Sequence, residues 1–125
     1  MSGDKLVVDT NIIIYHLKGD LTVESLLGGK KIIVSFITEI ELKSHSDLSN
    51  EQRSIIQHFL SFTEIVHSNA RITAEAIKIR IEKKLKAPDA IIVATAIALN
   101  LPLLSADKRL GGISNLDLVT YTPAK

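Results

Sequence analysis

Short apolar runs alternate with helical segments along the whole chain, and this alternation limits the fold more than any other feature of the sequence. Five runs have the apolar, β-branched pattern of strands: Lys5–Asp9, Lys31–Phe36, Glu64–Val66, Pro102–Ser105 and Leu116–Tyr121. Helical patterns fill most of the chain between them, at about Ile12–Leu17, Thr38–Lys43, Ser49–Phe59, Ile72–Leu85 and Asp89–Leu99. Strands that alternate with helices through short links pair in parallel, with right-handed crossovers. The sequence therefore predicts an α/β fold with a mostly parallel, five-stranded sheet.

The last of these helices, Asp89–Leu99, is apolar on nearly every side, with Thr95 as the one interruption. A helix of this kind is buried rather than amphipathic. Pro88 fits its first turn, where the missing N–H costs nothing. Asp89 is therefore an acid at the start of a buried helix, with no basic residue directly beside it in the sequence.

The length and composition exclude several classes of protein. A chain of 125 residues predicts a single domain, spanning residues 1–125. With 15 basic and 14 acidic residues, the overall charge does not draw the protein to nucleic acid or anionic lipid. The absence of cysteine excludes disulfides and zinc–thiolate sites and suits a reducing compartment. Met1–Lys5 leads straight into a strand-like run without a signal peptide, and no apolar stretch is long enough to span a bilayer, so we expect a cytoplasmic protein.

Four acidic residues stand where open α/β sheets place their active sites, at the carboxyl ends of strands and in the helices that follow. Asp9 closes the first strand, Asp89 opens the buried helix, and Asp107 follows the fourth strand. Glu41, in the helix that Thr38 is expected to cap, is the fourth candidate.

Helical geometry favours Glu41 over its neighbour Glu39. Positions 37, 40, 41 and 44 share one helix face, and Ile37 and Ile40 predict that this face points inward. Glu41 is therefore expected on the inner face, with Glu39 roughly opposite.

Each acid also has an ordinary structural explanation. Asp9 could cap the following helix, Asp89 could complement its helix dipole, Asp107 could serve a turn, and Glu41 could be a half-exposed helix residue. Four carboxylates at one end of one sheet, however, repel and raise each other's pKa values unless a cation neutralises them. Ligands that are all oxygen favour Mg²⁺ or Mn²⁺ over zinc. Such a site suits the hydrolysis of phosphodiester bonds by metal-activated water.

Four blocks of sequence carry a resemblance to a known family. They are Val8–Asn11 (VDTN), Ser35–Leu42 (SFITEIEL), Pro88–Ala96 (PDAIIVATA) and Leu103–Asp107 (LLSAD). In their order and spacing, the chain resembles PIN-domain ribonucleases, and most of all the VapC-type toxins of toxin–antitoxin pairs. The resemblance implies a three-layer sandwich, with helices on both faces of the sheet.

The resemblance also implies the site and its partners. It assigns metal binding to Asp9, Glu41, Asp89 and Asp107, and supporting roles to Asn11 and the strand-end hydroxyl of Ser105. It implies Mg²⁺- or Mn²⁺-dependent endoribonuclease activity on structured RNA, often transfer RNA. It further implies a homodimer, and a small antitoxin that covers the acidic pocket.

The chain departs from the family after the last acid. Many relatives carry a further acid and then an aromatic residue where this chain has Arg109 and Leu110. The sequence therefore leaves open whether one metal ion or two bind. Lys108 and Arg109, after Asp107, and Lys86, before the buried helix, are candidate contacts for RNA phosphates. The alternative for Lys86 is a solvated helix end that the dipole favours.

The sequence also bears on several other functions. A PIN nuclease of RNA processing without toxicity, and a non-catalytic PIN-like binding module, remain open alternatives. The four histidines form no metal or acid–base motif, and Gly28–Lys31 lacks the phosphate-loop pattern. A phosphoacceptor receiver needs an acid where the chain has Ile65–Asn69, and a dehalogenase-type phosphatase needs one in place of Asn11. Aromatic residues make up only 4%, so RNA recognition by shape and backbone is favoured over base stacking.

Overall fold

A computed structural model of the protein describes residues 4–123 and contains a five-stranded, wholly parallel sheet. Residues 1–3, part of the segment expected to lack a signal peptide, and residues 124–125 lie outside that range. The strands are β1 (Lys5–Val8), β2 (Lys31–Ser35), β3 (Glu64–Val66), β4 (Leu103–Ser105) and β5 (Leu118–Thr120). Their order across the sheet is β3-β2-β1-β4-β5. The α/β prediction and all five predicted strands are confirmed.

Six helices connect the strands: α1 (Thr10–Leu17), α2 (Leu21–Leu27), α3 (Phe36–Lys43), α4 (Asn50–Ser61), α5 (Ala70–Lys83) and α6 (Ala87–Leu99). Successive strand residues point to opposite faces of the sheet, so Val7 and Val8 belong to different cores. Val7 packs with α5 and α6 on one face, and Val8 packs with α1, α2 and α4 on the other. The expected three-layer arrangement is therefore confirmed.

Helix α6 is the buried helix that the sequence predicts. Its buried residues are Ala90, Ile92, Val93, Ala94, Thr95 and Ala96. Pro88 lies in its first turn, and Asn100 ends it with a left-handed backbone at φ 56°. Burial on this scale fixes the start of α6, and with it Asp89, against the sheet. Within residues 4–123, no helix has the length and apolar character needed to cross a bilayer.

Helix α2 was not predicted. Asp20 caps it, because its carboxylate accepts the backbone N–H groups of Thr22 and Val23. Only Val23 and Leu27 are buried in its seven residues, which is too few to produce a clear helical periodicity.

The predicted starts of α1, α3, α5 and α6 are each two residues too late. The expected cap of α3, Thr38, lies inside the helix and is fully buried, whereas the Ser35 hydroxyl accepts the backbone N–H of Ile37 and caps the helix earlier. Helix α5 begins two residues before the predicted Ile72, because Asn69 is its cap. It ends where Lys84 takes a left-handed backbone, at φ 57°.

Candidate active site

Asp9 is the most buried of the candidate acids, with 8% of its surface exposed. It follows β1 directly and caps α1, where its Oδ1 accepts the backbone N–H of Thr10 at 2.8 Å. Its Oδ2 accepts the Ser105 hydroxyl at 2.7 Å and the amide of Asn11 at 3.4 Å. Burial raises the pKa of Asp9, and the negative charges of Asp89 and Glu41 add to that rise despite the hydrogen bonds from Ser105 and Thr10.

Ser105 and Asn11 tie the ends of β1 and β4 together. The hydroxyl of Ser105, the last residue of β4, donates to Asp9 and accepts the backbone N–H of Asp107 at 3.0 Å. The Asn11 carbonyl accepts the backbone N–H of Ala106 at 3.2 Å. The two residues for which supporting roles are predicted therefore contact both the first and the last acid segments.

Asp107 is paired with a cation. The Nε of Arg109 lies 3.0 Å from its Oδ1, and Nη2 lies 2.7 Å from its Oδ2. The hydrogen bonds and charge of Arg109 lower the pKa of Asp107. The same guanidinium reaches Asp89, where Nη2 is 3.4 Å from Oδ2. The expectation that all four acids raise each other's pKa values is therefore wrong for Asp107, because Arg109 supplies a compensating charge.

Glu41 reaches the site through Thr10, whose hydroxyl donates to Glu41 Oε1 at 2.6 Å. The neighbouring Glu39 instead pairs with Lys43 at 2.8 Å. The predicted inward face of α3 is wrong, because Ile40 is 53% exposed. The inward side of α3 carries Thr38 and Leu42, and Glu41 itself is exposed.

Sequence reasoning missed Thr10 and Thr38 as parts of this arrangement. Their hydroxyl oxygens lie 3.0 Å apart, and Thr10 also contacts Glu41. Thr38 is fully buried, which is unusual for a polar residue without a structural or site role. The available signal was the position of Thr10, directly after the acid that ends the first strand.

The predicted phosphate contacts are next to the acids in the sequence and exposed. Lys86 is the residue before α6, the helix that carries Asp89 in its first turn, and Lys108 comes directly after Asp107. Arg109 is largely exposed as well, but its guanidinium is paired with both Asp107 and Asp89. Their roles toward RNA stay predictions.

The four acidic side chains offer the oxygen ligands that a hard divalent cation prefers. Its ligands would all be carboxylate oxygens, and Asp9 is a buried carboxyl beside two further negative charges. Within residues 4–123, however, no three acidic or histidine side chains are arranged so that they could share a metal ion. The guanidinium of Arg109 lies between Asp89 and Asp107 in this arrangement.

The fold and the site define an α/β protein with acidic side chains at the carboxyl edge of a parallel sheet. The family model described as PIN domain matches residues 6–116, so the chain belongs to the PIN domain family, whose members are generally nucleases. The resemblance drawn from the sequence is thereby confirmed.

Solved structures support the same assignment. A toxin–antitoxin complex from Klebsiella pneumoniae is similar with a TM-score of 0.82 and 30% identity, over 94% of this chain and 99% of that one. VapBC2 from Rickettsia felis, bound to a DNA fragment from its promoter, has a TM-score of 0.78 and 27% identity over 93% and 98% of the two chains. VapBC-1 from nontypeable Haemophilus influenzae has a TM-score of 0.76 and 25% identity over 93% and 97%. A search of curated proteins found no match.

Proposed function

We propose that the protein is a Mg²⁺- or Mn²⁺-dependent endoribonuclease of the cytoplasm and the toxin of a toxin–antitoxin pair. The observation that carries this proposal is the buried carboxyl of Asp9, which lies beside the charges of Glu41 and Asp89. Among the described residues, its hydrogen-bond donors are all neutral. A buried charge without a charged partner is costly, and a bound cation would relieve that cost.

Each residue has a proposed task in RNA cleavage. Asp9, Glu41 and Asp89 would hold the cation, and their side chains would have to draw together to do so, because within residues 4–123 no three acids are arranged to share one. Asp107 would be a further ligand once its oxygens are free. When bound, a divalent cation activates water for attack and neutralises charge on the phosphate. Ser105 and Asn11 fix the orientation of the Asp9 carboxylate through their hydrogen bonds. Lys86 and Lys108 would hold the RNA backbone on either side of the acids.

A second candidate function is a PIN-like binding module that does not cut RNA. Arg109 favours it, because the ion pairs with Asp107 and Asp89 engage two of the four acids without any metal. An RNA cleavage assay separates the two functions, because only the nuclease cuts RNA.

The test incubates the protein with a pool of transfer RNA and 5′-labelled RNA oligonucleotides, with Mg²⁺, with Mn²⁺, or with EDTA. We expect internal cleavage with either metal, none in EDTA, and at least about a 100-fold loss for Asp9→Asn and Asp89→Asn. Cleavage that persists in EDTA, or that both variants retain, would contradict a metal-dependent nuclease. Metal-loaded protein that binds RNA without cutting it would support the binding module.

Glu41 and Glu39 provide a matched pair of variants for this assay. Both change one carboxylate to an amide on the same helix, but only Glu41 contacts Thr10, whereas Glu39 pairs with Lys43. Glu41→Gln should reduce cleavage about tenfold or more, whereas Glu39→Gln should cleave as the wild type does. Equal activity of the two variants would remove Glu41 from the proposed site.

An apolar groove beside the acids supports the proposed antitoxin. It is lined by Ile14, Leu17, Leu42, Leu48, Ile55 and Ile56, and Glu41 lies on its wall. Three similar structures are toxin–antitoxin complexes, two of them named VapBC. We propose that an apolar helical segment of an antitoxin occupies this groove and thereby covers the acidic cleft.

Co-purification with the product of a small reading frame that adjoins the gene tests this partner. Ile55→Glu places a charge in the groove, where Ile55 is 47% exposed, and should abolish the complex. Leu21→Glu, on exposed α2 outside the groove, is the matched control and should keep it. The absence of such a frame, or a complex that survives Ile55→Glu, would contradict the proposal.

The family resemblance also leads us to propose a homodimer. Light scattering should then give twice the chain mass of 13.7 kDa. A mass of one chain at micromolar concentration would contradict this.

A further inference from the structure

Arg109 occupies most of the hydrogen-bonding capacity of Asp107. Oδ1 accepts the backbone N–H of Arg109 at 3.0 Å and its Nε–H at 3.0 Å. Oδ2 shares the same Nε–H at 3.2 Å and accepts an Nη2–H at 2.7 Å. A carboxylate offers about four lone-pair sites, so these three N–H groups leave little room for a metal ion on either oxygen.

Within residues 4–123, the guanidinium contacts only the carboxylates of Asp107 and Asp89. Its remaining ion pair is to Asp89, at 3.4 Å, and its side chain is 67% exposed. The backbone beneath it is fixed, because Arg109 lies in a 3-10 helix, Lys108–Leu110, that Asp107 caps and buried Leu110 anchors. The head group can therefore leave the acids without disturbing the fold.

We propose that Arg109 is a built-in counter-ion that competes with the divalent cation for Asp107 and Asp89. This inference rests on the proposed metal-dependent function. A hard cation needs the oxygen lone pairs that Arg109 occupies, and its charge repels the guanidinium at short range. Cation binding at these two acids therefore requires that the guanidinium moves out, which weakens the apparent metal affinity. In the metal-free protein, the guanidinium partly offsets the charge of Asp107 and Asp89.

Direct measurement of Mn²⁺ binding tests the competition without any cleavage assay. The EPR signal of free Mn²⁺ is titrated against wild type, Arg109→Ala, Arg109→Lys and Lys108→Ala. We expect Arg109→Ala to bind with about a three- to tenfold lower Kd, since exposed ion pairs are weak competitors. Arg109→Lys, which keeps the charge but not the planar fork, should fall between.

Lys108→Ala is the matched control for charge. It removes one positive charge from the adjacent position, yet within residues 4–123 the carboxylates of Asp89 and Asp107 form ion pairs only with Arg109. Its Kd should stay within about twofold of the wild-type value, because an exposed charge without direct contact is screened by salt. An equal gain in Lys108→Ala would show that net charge, rather than the guanidinium contact, sets the affinity, and would overturn the proposal.

Release of the guanidinium can also be followed in the wild-type protein. Titration with Mg²⁺ should shift or broaden the ¹⁵Nε–¹H signal of Arg109 as its bonds to Asp107 are lost. Arg80 is an internal reference, because its Nε donates to the backbone carbonyl of Leu85 at 3.1 Å rather than to a carboxylate. An Arg109 signal that stays as constant as that of Arg80 through saturation would overturn the proposal.

The outcomes of the Mn²⁺ titration distinguish the competition by Arg109 from the metal-dependent function on which it rests. Binding of Mn²⁺ by wild type and Arg109→Ala with the same Kd rejects the competition but leaves the metal site. Weaker binding by Arg109→Ala would mean that the arginine organises Asp107 as a ligand, and this also rejects competition. No binding by any variant at millimolar Mn²⁺ rejects the metal-dependent function and, with it, this inference.

Discussion

Asp9 and Asp107 follow neighbouring strands of the sheet, but their surroundings have opposite effects on their pKa values. Asp9 is almost fully buried, and burial raises its pKa. In residues 4–123 its hydrogen-bond donors are all neutral. Asp107 has a 19% exposed side chain, is gripped by Arg109, and has a lowered pKa. One hydroxyl, that of Ser105, connects the two acids.

The difference shows that position at the end of a strand does not by itself decide what a carboxylate does. The charge of Asp9 is uncompensated in the protein alone, so an added cation has most to gain there. The charge of Asp107 is already balanced, so an added cation must displace a partner. Under the proposed function, Asp9 is the primary ligand and Asp107 an auxiliary one.

The largest expected effect follows from this ranking. Asp9→Asn should lower kcat for RNA cleavage at least about 100-fold, or about 2.7 kcal/mol, whereas Asp107→Asn should lower it only about tenfold. Initial rates at saturating Mn²⁺ measure both. Asp117→Asn changes an exposed acid outside the cleft and should have no effect. Equal losses for Asp9→Asn and Asp107→Asn would break the comparison.

The connecting hydroxyl provides a second test. Ser105→Ala should lower the free energy of unfolding by about 1–2 kcal/mol, because the Asp9 carboxylate and the Asp107 N–H each lose a partner. Ser35→Ala is the matched control, since Ser35 is equally buried at the end of β2 and its loss as a helix cap costs about 1 kcal/mol.

Only one of these two variants should change the titration of Asp9. The Ser105 hydroxyl donates to the carboxylate and holds its pKa down, so Ser105→Ala should raise the pKa further. ¹³C NMR of the Asp9 carboxyl carbon measures it. The same rise in Ser35→Ala would mean that loosened packing, rather than the lost hydrogen bond, controls the acid.

The pH dependence of stability gives a smaller effect. The pKa of Asp9 is raised above its ordinary value of 3.8, so its ionisation is harder in the folded than in the unfolded protein. This penalty is absent below pH 3.8 and grows as the pH rises through the folded pKa. Asp9→Asn does not titrate, so its stability relative to wild type should increase from pH 3.5 to pH 7 in EDTA, as urea unfolding measures. A constant difference would contradict the raised pKa.

Much of the fold could be predicted because its signals are local. Strand β3 has the predicted bounds Glu64–Val66, and α6 follows from an apolar helix with proline in its first turn. Helix α2 could not be predicted from its pattern, because two buried residues in seven give no period. Its one local signal was the cap residue Asp20.

The site was predictable to the extent that it depends on strand ends. Asp9 directly follows the end of β1, and Asp107 lies two residues after the end of β4, so both could be predicted. The contact of Glu41 with Thr10 crosses 31 positions of sequence, and no helical periodicity contains it. The ion pair between Arg109 and Asp107 depends on the side-chain rotamer of Arg109 in a 3-10 helix. The sequence does not determine that rotamer.

The smallest effect is expected for Arg109→Ala. The pH dependence of its stability relative to wild type should have the opposite sign to that of Asp9→Asn. The pKa of Asp107 is lowered, so its pairing stabilises the protein above pH 3.8 and is lost as the pH falls through the folded pKa. Arg109→Ala should therefore be slightly less stable than wild type at pH 7 in EDTA, and the difference should disappear in acid. Because Arg109 is largely exposed, 1 M NaCl should erase this difference, whereas the change at buried Asp9 should persist. If the stability difference between Arg109→Ala and wild type persists in 1 M NaCl, the pairing of Arg109 with Asp107 is protected from solvent. Asp9 and Asp107 would then differ in their partners but not in their protection from solvent.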